Sequence, residues 1–454
     1  MDIKLSFKAM VNKKKGKVLF VEVDSSIADV LLSFLTLPLG TIVRILKEHY
    51  EDDESTSYGS LSSLYNGLSN LDGHHFWTKG AKSILLHPRR SSSDAECIKL
   101  MLDVSDSPPL EYYICPNKCN NRFQITSMYY DNAGKCRCCN RHRMKREVAE
   151  NDAQIVPCCD GVFTKTTASF VITDDLQIMP NAGLLQIVSV LGVTDMDEVE
   201  TINITFGLFE VVELLEASLI STNPLSVVIL DEEVLEMSST EGKYEDQSPS
   251  TAANALISNS KTMNVKLVVQ KSTNKLLYAE AEEDFVEFLF SFLVIPLGGV
   301  VSLLSRNSNL KPIDSLYKSA ADLIHDKYLK NPDAKNRLIK PSIPHGYLSE
   351  NHILPLNEER FLADLACNYY SLFPSTKFPN GQGSYLEGTR TYKVADDLTV
   401  TPFSIASVLY SLKEQKIPVS DLREVEVQIG LNEALSILKA SLTSTTALSV
   451  ALLS

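Results

Sequence analysis

The stretch Leu31–Gly40, LLSFLTLPLG, returns as Leu289–Gly298, LFSFLVIPLG, ten residues long each time and without a gap. Both copies are apolar and both end on Pro-Leu-Gly. A proline inside such a run stops one helix and opens another, because its ring fixes φ and it has no N–H to donate. We therefore read each copy as two short buried helices, or one kinked helix, and expect no membrane span. The longer uncharged run, Phe288–Ser305, is 18 residues, at the lower edge of the roughly 17–25 that cross a bilayer. Acids lead into both runs: Asp24 and Asp29 in the first, Glu282, Glu283, Asp284 and Glu287 in the second.

The repetition extends in both directions. Lys17–Glu22 (KVLFVE) matches Lys275–Glu280 (KLLYAE), and Ser63–Tyr65 matches Ser315–Tyr317. Further on, TDDL at 173–176 meets ADDL at 395–398, Pro180 meets Pro402, and EASL at 216–219 meets KASL at 439–442. The blocks keep their order, which reads as a tandem duplication. An acidic, Ser/Thr-rich stretch separates the copies and has the composition of a linker. The expected organisation is a first repeat over 1–232, a linker over 233–263 and a second repeat over 264–454.

Within a repeat the pattern is mixed. Lys4–Met10 and Lys17–Val23 flank a Lys/Gly turn, a hairpin signal. Ser25 or Ser26 is placed to cap a helix through Leu35, with Ile27, Val30, Leu31, Phe34 and Leu35 on one stripe. A second helix follows Pro38. Ser169–Thr173 and Gln177–Met179 predict a second hairpin around Asp174-Asp175. A helix over 182–191, an alternating strand over 200–206 and a helix over 210–219 complete the unit. The fold class is α+β: two tandem repeats of hairpin, helices, hairpin, helix, strand, helix.

The 454 residues carry 43 Lys+Arg against 57 Asp+Glu, a formal charge of −14. That balance argues against a surface coated in nucleic acid, while leaving room for a local basic module. Of nine cysteines, seven fall between Cys115 and Cys159. A secreted disulfide scaffold is short, even-numbered and evenly studded; this usage instead points to a reducing compartment, cytoplasm or nucleus, with a local metal site. No secretory leader is expected from the opening residues.

Cys115 and Cys119 form a C-x3-C pair, and Cys136, Cys138 and Cys139 follow sixteen residues later. Two close thiol pairs at this separation have zinc-ribbon spacing, and Zn²⁺ takes four thiolates in a tetrahedron. We expect one structural ion held by Cys115, Cys119, Cys136 and Cys139 within an insertion over about 112–146. Cys138 competes with Cys139 for the fourth place, His142 is a further nitrogen donor, and Cys158-Cys159 reads as buried. Arg122, Lys135, Arg137, Arg141, Arg143, Lys145 and Arg146 would offset the net −2 of a four-thiolate centre. The second repeat has no matching cysteines, so the ion serves the insertion and not the duplicated fold.

Other groups read as structural. Asp174-Asp175 and Asp396-Asp397 sit between short strands, where Asp forms turns through its own backbone. His74-His75 beside Phe76-Trp77 reads as packing or a surface loop. The Gly383…Gly388-Thr389 spacing has Thr where a phosphate loop needs Lys. No catalytic motif is recognised.

The combined blocks resemble a plant-specific family catalogued as domain of unknown function 674 (DUF674). The likeness rests on Lys17–Glu22, the SFLTLPLG and SFLVIPLG runs, CPNKC and CRCC, TDDL, and LLEASL with ILKASL, and it covers nearly the whole chain. It implies the duplicated layout and no activity. The family's second knuckle looks like C-x-C-G, whereas here Cys139 follows Cys138. The expectation is a non-enzymatic binding or scaffold protein with an unidentified protein partner. The alternatives are nucleic-acid association through the basic insertion, and an enzyme with its site between the repeats.

Overall fold

Alternation sets the first hairpin: Leu5, Phe7, Ala9 and Val11 are buried, while Ser6 and Lys8 between them face solvent. The structure is a computed structural model. It describes residues 3–50, 58–77, 79–91, 97, 99–105, 112–114, 125–127, 145–147, 161–181, 199–230, 261–324, 327–344, 347–359 and 384–453. The first half runs β1 (Leu5–Asn12), β2 (Lys17–Asp24), α1 (Ser25–Ser33), α2 (Leu39–His49), α3 (Gly59–Asn70) and α4 (Lys79–Leu86). Three short strands follow, β3 (Tyr112–Ile114), β4 (Ile125–Ser127) and β5 (Lys145–Glu147). Then come β6 (Ser169–Thr173), β7 (Ile178–Pro180), β8 (Val199–Phe206), α5 (Leu208–Ile220) and α6 (Pro224–Leu230).

The second half runs β9 (Met263–Gln270), β10 (Leu276–Ala281), α7 (Glu283–Ser291), α8 (Leu297–Leu303), α9 (Lys311–Asp322) and α10 (Pro332–Ile339). It closes with β11 (Tyr392–Val394), β12 (Val400–Pro402), α11 (Ile405–Glu414), β13 (Leu422–Ile429), α12 (Leu431–Thr443) and α13 (Ala447–Leu452).

The class is α+β. Two five-stranded antiparallel sheets have the orders β7-β6-β2-β1-β8 and β12-β11-β10-β9-β13, and β4-β3-β5 forms a third, smaller sheet. The two large sheets have corresponding strand orders. Each also slips register once within its first hairpin, at Met10/Val11 and at Leu276/Tyr278. Even helix entry is handled alike: Glu210 and Glu433 each reach back to accept the N–H of Gly207 or Gly430, at 2.7 and 2.9 Å.

The Pro-Leu-Gly runs are buried helix pairs. α1 ends at Ser33, a 3₁₀ turn covers Phe34–Thr36, Leu37 is extended, and α2 starts after Pro38. Phe292–Val294, Ile295 and Pro296 do the same before α8. The sequence placed the α1 cap on Ser25 or Ser26; the structure places it on Asp24, whose carboxylate accepts the Ser26 and Ile27 N–H groups at 2.9 and 3.2 Å. Among the described residues no helix is long and apolar enough to cross a membrane. The expected helix over 182–191 and most of the 233–263 linker lie outside the described residues.

The halves are intertwined. Leu39 donates its N–H to Ile295 at 3.0 Å and Leu297 donates to Leu37 at 2.9 Å, making a bridge with Pro38 opposite Pro296. The segments that follow α3 and α9 cross over. Trp77 donates to Tyr385 at 3.1 Å and Glu387 to His75 at 2.8 Å; likewise Lys165 donates to Tyr328 at 2.9 Å and Lys330 to Phe163 at 2.8 Å. α3 docks on the second half, where Ser60 Oγ bonds the Ser444 carbonyl at 2.6 Å. Gly59, at φ +53°, lies so close there that a Cβ would meet the Ser441 carbonyl at 2.5 Å. α9 docks on the first half, where Ser319 Oγ accepts the Ile178 N–H at 2.8 Å. One continuous hydrophobic core therefore draws on both halves, from Phe34 and Leu35 to Phe292 and Leu293. A smaller cluster of Val268, Tyr278, Val408 and Leu412 lies beneath α11.

Candidate functional site

Two carboxylates are buried at counterpart positions in α1 and α7. Asp29 accepts the Val162 N–H at 2.6 Å, and the N–H and hydroxyl of Thr164 both at 2.8 Å. Glu287 accepts the Leu386 N–H at 2.7 Å, Asn351 Nδ2 at 2.9 Å, Ser349 Oγ at 2.5 Å and the Ser384 hydroxyl. Each holds the segment of its own half, 162–164 or 384–386, that pairs with the segment crossing over from the other half. A buried carboxylate needs such donors, because unpaired it would lose its hydration without return. Burial still pushes the Asp29 carboxyl up to about 6, against the hydrogen bonds from Thr164 and Val162 that lower it.

The Asp pairs also serve the fold. Asp174 accepts the N–H and hydroxyl of Ser226 at 2.8 and 2.6 Å, and Asp396 accepts those of Ser449 at 2.8 and 2.7 Å. Ser226 and Ser449 lie in the first turns of α6 and α13, where free N–H groups favour a carboxylate. The first Asp of each pair thus ties its hairpin to the last helix of its own half. The second bonds within its own turn, Asp397 accepting the Thr399 N–H at 3.0 Å and Asp175 accepting the Thr173 hydroxyl at 2.6 Å, but Asp175 also reaches the other half, accepting the Ser315 hydroxyl of α9 at 3.1 Å. The sequence reading of these residues as turn formers covers Asp397 well. It missed the reach of Asp174 and Asp396. The following residues, Leu176 and Leu398, hold φ of 61° and 65° and are fully buried.

His74 and His75 lie on the crossing segment. His74 Nδ1 is 2.7 Å from Asp72. His75 Nδ1 is 3.2 Å from Tyr392 Oη and 3.1 Å from Arg390 Nη1. A guanidinium only donates, so Nδ1 accepts and the imidazole proton belongs on Nε2. Burial, with His74 and Arg390 adding to it, holds the His75 pKa below its ordinary value. Tyr392 is wholly buried and its hydroxyl is pushed up to about 12 by that burial. This network joins one half to the other and is poorly suited to exchange protons with a ligand.

The expected zinc ligands Cys115, Cys119, Cys136 and Cys139 lie outside the described residues, as do Cys138 and His142. Their frame is described: Ile114 pairs with Ile125 on one side and with Lys145 on the other. Among the described residues no group of three or more His, Cys, Asp or Glu side chains is placed to hold a metal. Cys97 is buried.

A cavity of about 270 Å³ opens where α8 gives way to α9, lined by Arg306, Lys311, Lys318, Asn307, Asn309 and Asp314, with Ser315. Asp314 is turned to Ser308, accepting its hydroxyl at 2.7 Å and its N–H at 3.2 Å. Burial raises the Asp314 pKa. Ser305, Arg306 and Asn309 take φ of 53°, 65° and 67°.

A family model described as "Protein of unknown function (DUF674)" matches residues 2–373 and 374–454. The chain belongs to the DUF674 family. No curated protein and no solved structure matches it. Membership agrees with the resemblance carried by the repeated blocks and brings no activity with it.

In this DUF674 chain, sequence reading missed the roles of Asp29 and Glu287, although a signal was there: each is an acid set between apolar neighbours, Ala28 and Val30 or Val286 and Phe288, where a charge is rare unless partnered. The cavity residues gave a weaker signal. Only the polar stretch Ser305–Lys311 after an apolar run hinted at them.

Proposed function

We propose that this DUF674 protein is a non-enzymatic binding or scaffold protein, made of two copies of one α+β unit, the first carrying a zinc-ribbon-like insertion. The observation that carries the reading is the use of the polar groups at counterpart positions. Asp29 with Glu287, and Asp174 with Asp396, spend their oxygens on the fold's own N–H and hydroxyl groups. Duplication accounts for the corresponding sheet orders, and the crossing segments make the pair one body.

The insertion is the part of the first unit without a counterpart, and we assign it the recognition role. Its frame supports a metal knuckle. Because Ile114 pairs with both Ile125 and Lys145, the chain leaves β3 and enters β4 and β5 at one end of the small sheet. Cys115 and Cys119 fall between β3 and β4, and Cys136 and Cys139 between β4 and β5, so both pairs belong to connections touching that end. Zinc there would hold the connections together, with Cys115, Cys119, Cys136 and Cys139 as thiolate ligands.

Affinity capture with wild-type protein and with Cys115→Ser tests the role. A protein partner held by the wild type and lost in a variant whose body still unfolds cooperatively supports it. Equal capture by both removes the insertion from recognition, and retention of RNA at low salt, lost steeply as salt rises, replaces the protein partner with a nucleic acid.

A further inference from the structure

The two halves differ in the sign of their charge at one pair of counterpart positions, the connection between the second and third helices of each unit. In the first half the sequence there carries Glu51, Asp52, Asp53 and Glu54, and Glu216 of α5 accepts the hydroxyls of Tyr50 and Tyr58. In the second half, Arg306 of the counterpart connection and Lys311 and Lys318 of α9 stand at the walls of the cavity. Lys439 stands in α12 where the first half has Glu216. The sign of the charge carried by the sequence is thus reversed between the two connections.

We propose that this cavity binds a small phosphorylated molecule through its phosphate monoester. Three cations line it, and the lining carboxylate, Asp314, is already engaged by Ser308. Among the described residues no carboxylate forms an ion pair with Arg306, Lys311 or Lys318, although the chain as a whole carries a net charge of −14. Arginine supplies a planar fork of donors and the two lysines supply point charges, the mixture that suits a dianionic phosphate. Asn307 and Asn309 add side-chain amides that can donate to phosphate oxygens or to the attached group. At about 270 Å³ the space lies just below the roughly 300–1,000 Å³ of drug-sized ligand sites, which favours a small phosphate ester over a nucleotide. No cysteine contributes, so the site stands apart from the zinc reading.

Titration of the full chain with inorganic phosphate and with glycerol 3-phosphate, by calorimetry in low-salt buffer, tests the proposal. Both should bind saturably at about one per chain, competing for the same site. The double variant Arg306→Ala/Lys318→Ala should weaken binding about tenfold or more, while Lys413→Ala on α11 should not. Thermal unfolding without ligand checks that the variants are folded, and added phosphate should raise the midpoint of the wild type more than that of the double variant. Absence of saturable binding, or equal affinity in a folded double variant, overturns the proposal. So does binding to phosphatidylcholine vesicles containing phosphatidic acid that soluble glycerol 3-phosphate fails to displace, since that outcome assigns the cations to a membrane surface.

Discussion

Pro38 and Pro296 lie opposite each other in an antiparallel bridge that joins the two halves of the chain. The hydrogen bonds of this bridge come from the flanking residues, Leu39 to Ile295 and Leu297 to Leu37. In that arrangement the central residues exchange no hydrogen bond, so the missing N–H of proline costs nothing there. The same prolines start α2 and α8. One residue type thus ends an extended link, opens a helix and sits on the approximate two-fold relation between the halves.

The glycines after these prolines should be intolerant of a side chain. A Cβ on Gly40 would stand 3.0 Å from the Leu293 carbonyl oxygen, and one on Gly298 would collide with the Leu338 carbonyl of its own half and stand 3.0 Å from that of Leu35 across the seam. Gly40→Ala and Gly298→Ala should each cost about 1–3 kcal/mol by overpacking, read by urea unfolding. Gly73, with nothing within 4 Å, is the control; Gly73→Ala should change stability by less than about 0.5 kcal/mol. Equal effects at all three would refute the tight seam.

Cutting the chain between the halves should not separate them. With a protease site placed in residues 240–250, the two fragments should co-elute after cleavage and part only in denaturant. The exchanged segments and the shared core hold them. Two independent peaks in native buffer would show that the halves are separable domains.

Asp29 should make the protein more stable in mild acid. Its folded pKa of about 6 lies above the ordinary 3.8, so the folded chain holds the proton more tightly between these values. Stability from this group therefore rises as pH falls from 7 through 6 and levels off near 4; going from pH 7 to pH 5 adds about 1 kcal/mol. Asp29→Asn should be less stable overall, by about 1–3 kcal/mol from mispaired donors, and should lack that pH-dependent gain. Burial also raises the carboxyls of Asp174 and Asp314. They titrate in both proteins, so the difference between wild type and variant isolates Asp29. Parallel pH profiles would contradict the assignment.

Metal analysis of purified protein should find about one zinc per chain. Cys115→Ser and Cys136→Ser should abolish its retention while leaving the unfolding midpoint of the body unchanged, because the two large sheets draw no residue from 112–147. Protein free of zinc, or a body that unfolds with the loss of the metal, would count against a separate structural site.

The letters alone determined both hairpins, the helices on either side of Pro38, the strand ending at Phe206 and the helix after it, while α3, α4 and α6 went unread. The 3.6-residue stripe from Ile27 to Leu35, the alternation before Phe206 and the Asp-Asp turns at 174 and 396 are local patterns. Local patterns follow from backbone geometry within a few residues, as does the break at Pro38. Even the boundaries moved little; the cap of α1 went from Ser25 or Ser26 to Asp24 because the adjacent side chains compete for the same N–H groups. What the sequence could not decide is which copy of each element packs on which. α3 and α9 could each have closed on their own half with the same stripes buried. The exchange follows from contacts far apart in the chain: Gly59 against Ser441, Ser319 with Ile178, and Leu39 with Ile295. The cavity has the same origin, since Arg306, Lys311 and Lys318 are ordinary surface cations until the turn after α8 gathers them around one space.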